Sequence, residues 1–165
     1  MTSLQVLILM GSPNDAPVMQ GALDVLTELG IAAEITVASA HRSPERVMRV
    51  LADADKRGVS VFIVGAGAAA HLGGVVAAHT TKPVIGVPID SSALNGLDAL
   101  LSTVQMPPGV PVATVSIGKA GATNAGVLAA QILAIGNRGI AERLARYKRS
   151  LAEKVEEAAK KLETS

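Results

Sequence analysis

Four short apolar runs, Leu4–Met10, Ile31–Val37, Val59–Val64 and Pro83–Val87, are each followed by a turn and then a helical pattern. The first, Leu-Gln-Val-Leu-Ile-Leu-Met, shows no apolar–polar alternation, so both of its faces must be covered. That is the mark of a strand in a parallel sheet. Parallel neighbours need long crossovers, and the helical patterns between the runs supply them. This repeat of strand, turn and helix rules out most other architectures.

The first helix is expected over about Ala16–Leu29, with Val18, Ala22, Val25, Leu26 and Leu29 on one face and Gly30 as its stop. The second starts at Ser43, with Pro44 at its first position, and buries Val47, Val50, Leu51 and Ala54 before Gly58. A small-residue helix follows from His71 to about Thr80. The segment Pro88–Pro111 is less regular, with a short helix near Leu97–Val104 and a turn at Met106-Pro107-Pro108-Gly109. A short fifth strand, Val112–Val115, precedes an Ala-rich helix over Ala122–Ile135. The expected fold is α/β: a three-layer α/β/α sandwich around a flavodoxin-like sheet of about five parallel strands. The chain reads as a single domain, its core about 4–135, followed by a C-terminal helix at about 138–163. Ile140, Leu144, Tyr147, Leu151, Val155 and Leu162 recur there at helical spacing. That stripe fits either a helix on its own domain or one that packs on neighbouring subunits.

Composition narrows the function. With one Phe, one Tyr and no Trp, the core must be aliphatic, and the aromatics that stack on bases are missing. A net charge of +1 offers no basic footprint, so no nucleic-acid partner is expected. The absence of Cys excludes disulfides, thiolate chemistry and zinc–thiolate sites. The run Leu4–Met10 is too short to span a membrane and lacks the flanks of a signal peptide, so a cytoplasmic protein is expected.

In a flavodoxin-like sheet the turns after strands one, two and three converge at the crevice where strand order reverses. Those turns are Gly11–Asp15, Ser39–Ser43 and Gly65–His71. The middle one, Ser39-Ala40-His41-Arg42-Ser43-Pro44, sets an imidazole, which exchanges its proton near neutral pH, beside a guanidinium that can grip phosphate in two places. Ser12 adds a hydroxyl at a helix start, Asp15 an acceptor for sugar hydroxyls, and Gly67 room for close approach to the backbone. Ser12 and Asp15 also suit capping of the first helix. His71 suits either the site or a helix start, and His79 a structural role. Gly65–Ala70 partly imitates a dinucleotide fingerprint, with Asp90 near the expected offset, but the final glycine is absent and the turn follows the third strand. A dehydrogenase is therefore disfavoured.

Taken together, the motifs resemble the class I PurE family, the N5-carboxyaminoimidazole ribonucleotide mutases of purine synthesis. The resemblance runs from Leu7 to about Ala134. It is carried by Met10-Gly11-Ser12 with Asp15, Ser39 to Pro44, Gly65-Ala66-Gly67 through Ala69-Ala70-His71-Leu72, Gly86-Val87-Pro88, Ser102 to Pro107, Gly109 to Val112, and Gly118-Lys119-Ala120-Gly121 with Asn124-Ala125. It implies that Ser12, Asp15 and Arg42 hold the nucleotide with Ser39 and Ser43 beside them. It also implies that His41 is the acid/base, that Gly65–His71 walls a CO2 pocket, and that the chain forms a homo-octamer. Two departures stand out. Asn14 replaces the second Ser of Gly-Ser-x-Ser-Asp after a stiffening Pro13, and Gly73 replaces the Pro of His-Leu-Pro-Gly. The implied reaction moves a carboxylate from an exocyclic nitrogen to ring carbon C4 of an aminoimidazole ribonucleotide, and it implies no metal and no cofactor. The alternatives are a class II-type carboxylase using free CO2 and a non-catalytic nucleotide-binding module.

Overall fold

The computed structural model describes residues 4–163. Its strands are β1 (Val6–Met10), β2 (Ala33–Val37), β3 (Val61–Gly67), β4 (Val84–Ile89) and β5 (Ala113–Thr114). Its helices are α1 (Ala16–Glu28), α2 (Pro44–Lys56), α3 (Leu72–Ala78), α4 (Leu97–Val104), α5 (Gly118–Ala134) and α6 (Arg138–Glu163). The sheet runs β2-β1-β3-β4-β5 with every pairing parallel, as the apolar runs predict. Order reverses between β1 and β3, so the crevice opens beyond Met10 and Gly67.

Alternate residues of β1 enter two different cores. Val6, Ile8 and Met10 face α1, α5 and α6, against Met19, Ala22, Leu26, Ala125 and Ile140. Leu7 and Leu9 face α2 and α3, against Val47, Leu51, Phe62 and Val76. Each fully buried Leu, Ile or Val contributes about 1.5–3 kcal/mol through lost apolar exposure. The helices α1 and α5 pack closely because α5 presents no side chain at Gly126: a Cβ there would overlap Val25 and stand 2.9 Å from the Ala22 carbonyl.

Several boundaries differ from the sequence expectation. The glycine-rich end of the third run was expected to be a turn, yet β3 continues through it, since Gly65 and Gly67 still pair with Val87 and Ile89 of β4. Helix α5 begins at Gly118, a turn earlier than Ala122. The helix expected from His71 to Thr80 spans only Leu72–Ala78. For α6 the two readings divide along its length. Ile140 is buried and Leu144 and Tyr147 pack on the core, and Arg143 Nε donates to the Leu29 carbonyl. Beyond Ser150, Leu151, Val155 and Leu162 are exposed.

Candidate functional site

Three turns at the carboxyl edge of the sheet, with a fourth after β4, enclose a cleft of about 300 Å³. Ser12, Asp15, Ser39, His41, Arg42, Gly67 and His71 all line it, joined by Asn14, Ala66, Ala69 and Ser91. Ser43 does not line it.

The first turn is a short 3-10 segment, Pro13–Asp15, entered through Ser12. Asn14 N–H donates to Ser12 Oγ at 3.3 Å, and Ser12 N–H donates to Asp15 Oδ2 at 3.1 Å. This reciprocal cap fixes the entry to the helical segment. Asp15 is only 6% exposed. Burial raises its carboxyl pKa above the usual value, while the Ser12 N–H and the charge of Arg42 pull it back.

The second turn is tied to itself and to the first. Ser39 N–H donates to Ser43 Oγ at 3.1 Å and Arg42 N–H to Ser39 Oγ at 3.2 Å. Ser43 precedes α2, but its hydroxyl turns back to the Ser39 carbonyl and leaves the helix uncapped by a side chain. Arg42 reaches across the cleft, donating from Nη2 to the Gly11 carbonyl at 3.0 Å. Its Nε reaches Ser39 Oγ at 3.5 Å, and the planar guanidinium so held lines the cleft, a group suited to an anion.

The third turn brings His71 to His41, thirty positions away in sequence: His41 Nε2 lies 2.8 Å from His71 Nδ1, one ring donating and the other accepting. The rings meet edge to face at 87°. Both residues are exposed. Gly67 lacks a side chain for lack of space, because a Cβ would overlap Ser91 Oγ. The left-handed residue of this turn is not a glycine but Ala68, with φ +51°. That backbone costs a residue with a Cβ about 1 kcal/mol. His79 lies outside the cleft, its Nδ1 2.8 Å from the Val75 carbonyl of its own helix.

Ser91 lines the cleft without being marked by its local sequence: the apolar run Pro83–Val87 stops short, whereas β4 runs to Ile89 and delivers Ser91 to the same edge. The signal was present in topology: β4 neighbours β3, so its outgoing turn must approach the third one.

The arrangement offers a cation for an anionic tail, a buried carboxylate for hydroxyls, and an imidazole facing a small-residue wall. Among the described residues no group of His, Asp and Glu is placed to hold a metal ion.

Comparison with known proteins gives one consistent result. The family model described as AIR carboxylase matches residues 5–154. A Pyrococcus horikoshii protein named N5-carboxyaminoimidazole ribonucleotide mutase is 55% identical over 156 residues, covering 94% of this chain and 87% of that one. The Thermotoga maritima protein of the same name is 53% identical, covering 94% and 90%. Among solved structures, Treponema denticola PurE superposes with a TM-score of 0.85 at 31% identity, over 96% of this chain and 98% of that one.

Proposed function

The chain belongs to the AIR carboxylase family, and from that membership and the cleft we propose that it is an N5-carboxyaminoimidazole ribonucleotide mutase, an isomerase of purine biosynthesis. The observation that carries the reading is the convergence on one cleft of Arg42, Asp15 and the paired His41 and His71, beside a wall of Ala66, Gly67 and Ala69.

In this reading Arg42 and Ser12 take the phosphate, with Asn14 beside them, and Asp15 accepts from the ribose. Ser39 positions Arg42, and Ser43 holds Ser39. His41, as imidazolium, protonates the exocyclic nitrogen as the nitrogen–carboxylate bond breaks. The products of that step are aminoimidazole ribonucleotide and CO2, held in the small-residue pocket. Ring carbon C4 then attacks CO2, and the now neutral His41 removes the C4 proton, which restores the imidazolium. One imidazole serves both transfers, giving a proton in the first and taking one in the second. The cycle consumes no proton and needs no metal, redox group or nucleoside triphosphate.

The assay is ultraviolet detection of 4-carboxy-5-aminoimidazole ribonucleotide from the N5-carboxylated substrate. No product with that substrate, but product from aminoimidazole ribonucleotide and CO2, would replace the mutase with a carboxylase. The family's description names that second activity, while the Pyrococcus horikoshii and Thermotoga maritima relatives carry the mutase name.

We further propose a homo-oligomer, an octamer by family resemblance. Two apolar stripes support association: Leu97, Leu101 and Val104 along α4 with Leu94 in the turn before it, and Leu151, Val155 and Leu162 on the outer half of α6, all exposed. A cytoplasmic location fits a biosynthetic enzyme, and no helix among the described residues is long and apolar enough to cross a membrane.

A further inference from the structure

The wall of the cleft is held from behind by a side chain that does not line it. Ser102, on α4, sits against the third turn. Its Oγ accepts from Ala70 N–H at 3.1 Å. Its single hydroxyl proton has three carbonyls within reach: Asp98 at 2.7 Å, Ala99 at 3.2 Å and Ala68 at 3.3 Å. Ala70 is 1% exposed, and Ser102 Oγ is the acceptor its N–H meets. Ala68, two residues earlier, holds the left-handed backbone. His71 follows directly, its N–H donating to the Ala69 carbonyl at 2.8 Å. A strained turn persists only where its surroundings over-determine it, and here the Ser102 hydroxyl touches it on both sides of Ala69.

We propose that Ser102 is a positioning residue for CO2 retention: its hydroxyl fixes the Ala68–Ala70 turn, and through it the pocket wall at Ala69 and the His71 partner of His41. This rests on the mutase reading. The nucleotide's phosphate and ribose are held by the other two turns, so a loosened third turn leaves binding intact. What it changes is the fate of the released gas. When the wall opens, CO2 escapes before C4 attacks, and the enzyme releases aminoimidazole ribonucleotide and free CO2 in place of the carboxylated product. The chemistry balances as a simple decarboxylation, with one proton taken up from solvent through His41.

The test measures two products from the N5-carboxylated substrate, the carboxylated isomer and aminoimidazole ribonucleotide, for the parent and for Ser102→Ala, Ser102→Cys and Ser102→Thr. Thr103→Val is the control: Thr103 Oγ1 donates at 2.7 Å to the Ala99 carbonyl on the same helix but not to the turn. For Ser102→Ala we expect a fall in kcat of about tenfold to the carboxylated product, an unchanged KM, and a several-fold rise in the share of aminoimidazole ribonucleotide. Ser102→Thr restores the parental ratio, and Ser102→Cys, a weaker acceptor of nearly the same shape, falls between and serves if the alanine variant does not fold. An unchanged product ratio in the alanine or cysteine variant overturns the proposal, as does an equal change in Thr103→Val. A parent that makes no carboxylated isomer overturns the mutase reading instead.

Discussion

Arg42→Ala is the sharpest test of how the cleft holds its ligand. In the folded chain the guanidinium spends Nη2 on the Gly11 carbonyl at 3.0 Å and Nε on Ser39 Oγ at 3.5 Å. Both contacts are exposed, so their loss costs the fold less than about 1 kcal/mol. They matter because they hold the guanidinium at the cleft before any ligand arrives, which lowers the ordering cost on binding. A charge-assisted hydrogen bond is worth about 1.5–3 kcal/mol. Taking the low end for two bonds at an exposed position gives about 3 kcal/mol, or roughly a hundredfold in Kd. Titration calorimetry with aminoimidazole ribonucleotide, which lacks the carboxylate to be moved, isolates binding from turnover. Arg42→Lys keeps the charge but not the fork and should fall between. The parental affinity should weaken with added salt more steeply than that of the alanine variant. A Kd for Arg42→Ala within about twofold of the parent would refute the assignment of Arg42 as the phosphate clamp.

Three further outcomes are expected. His41→Asn should lower kcat by about 10²–10⁴-fold with nucleotide affinity retained; intact turnover of bound substrate would remove His41 from the chemistry. Asp15 has a folded-state pKa raised chiefly by burial, so its contribution to stability is full below its unfolded pKa of about 3.8 and is lost as pH rises through the folded value. Asp15→Asn, which keeps an acceptor for Ser12 N–H, should therefore raise Tm at neutral pH, lose that advantage in acid, and weaken nucleotide binding; a lower Tm at pH 7 would reverse the argument. Ending the chain after Ser150 removes only the exposed half of α6 and should lower the mass seen by light scattering with little change in Tm, and an unchanged mass would show that this half does not join subunits.

Strands and their order were legible because burial on both faces leaves an unbroken apolar run, as in Leu7-Ile8-Leu9-Met10, and no other element tolerates one so short between turns. The convergence of three turns then followed from topology alone. The sequence misled where glycine has two meanings. Gly65-Ala66-Gly67 reads as a flexible turn, but it is strand. Gly67 is small because Ser91 stands against it, and Gly65 because Met19 does. The residue bent into the left-handed region is Ala68, which nothing in its own chemistry announces. The pairing of His41 with His71 joins loops distant in sequence, so no periodicity encodes it, although both residues were singled out separately. Ser102 opens one of the motifs that carry the family resemblance, but its task left no local trace: a serine in the last turn of a helix looks like any surface hydroxyl until the fold sets Ala70 N–H against it.

Helix α4 is a party wall. Its inner side gives Ser102 to the turn beside the cleft, and its outer side shows Leu97, Leu101 and Val104 to whatever settles there. The two sides are separated by little more than the width of one helix, about 10 Å. Whatever settles on those leucines therefore lies within one helix diameter of the hydroxyl that holds the turn.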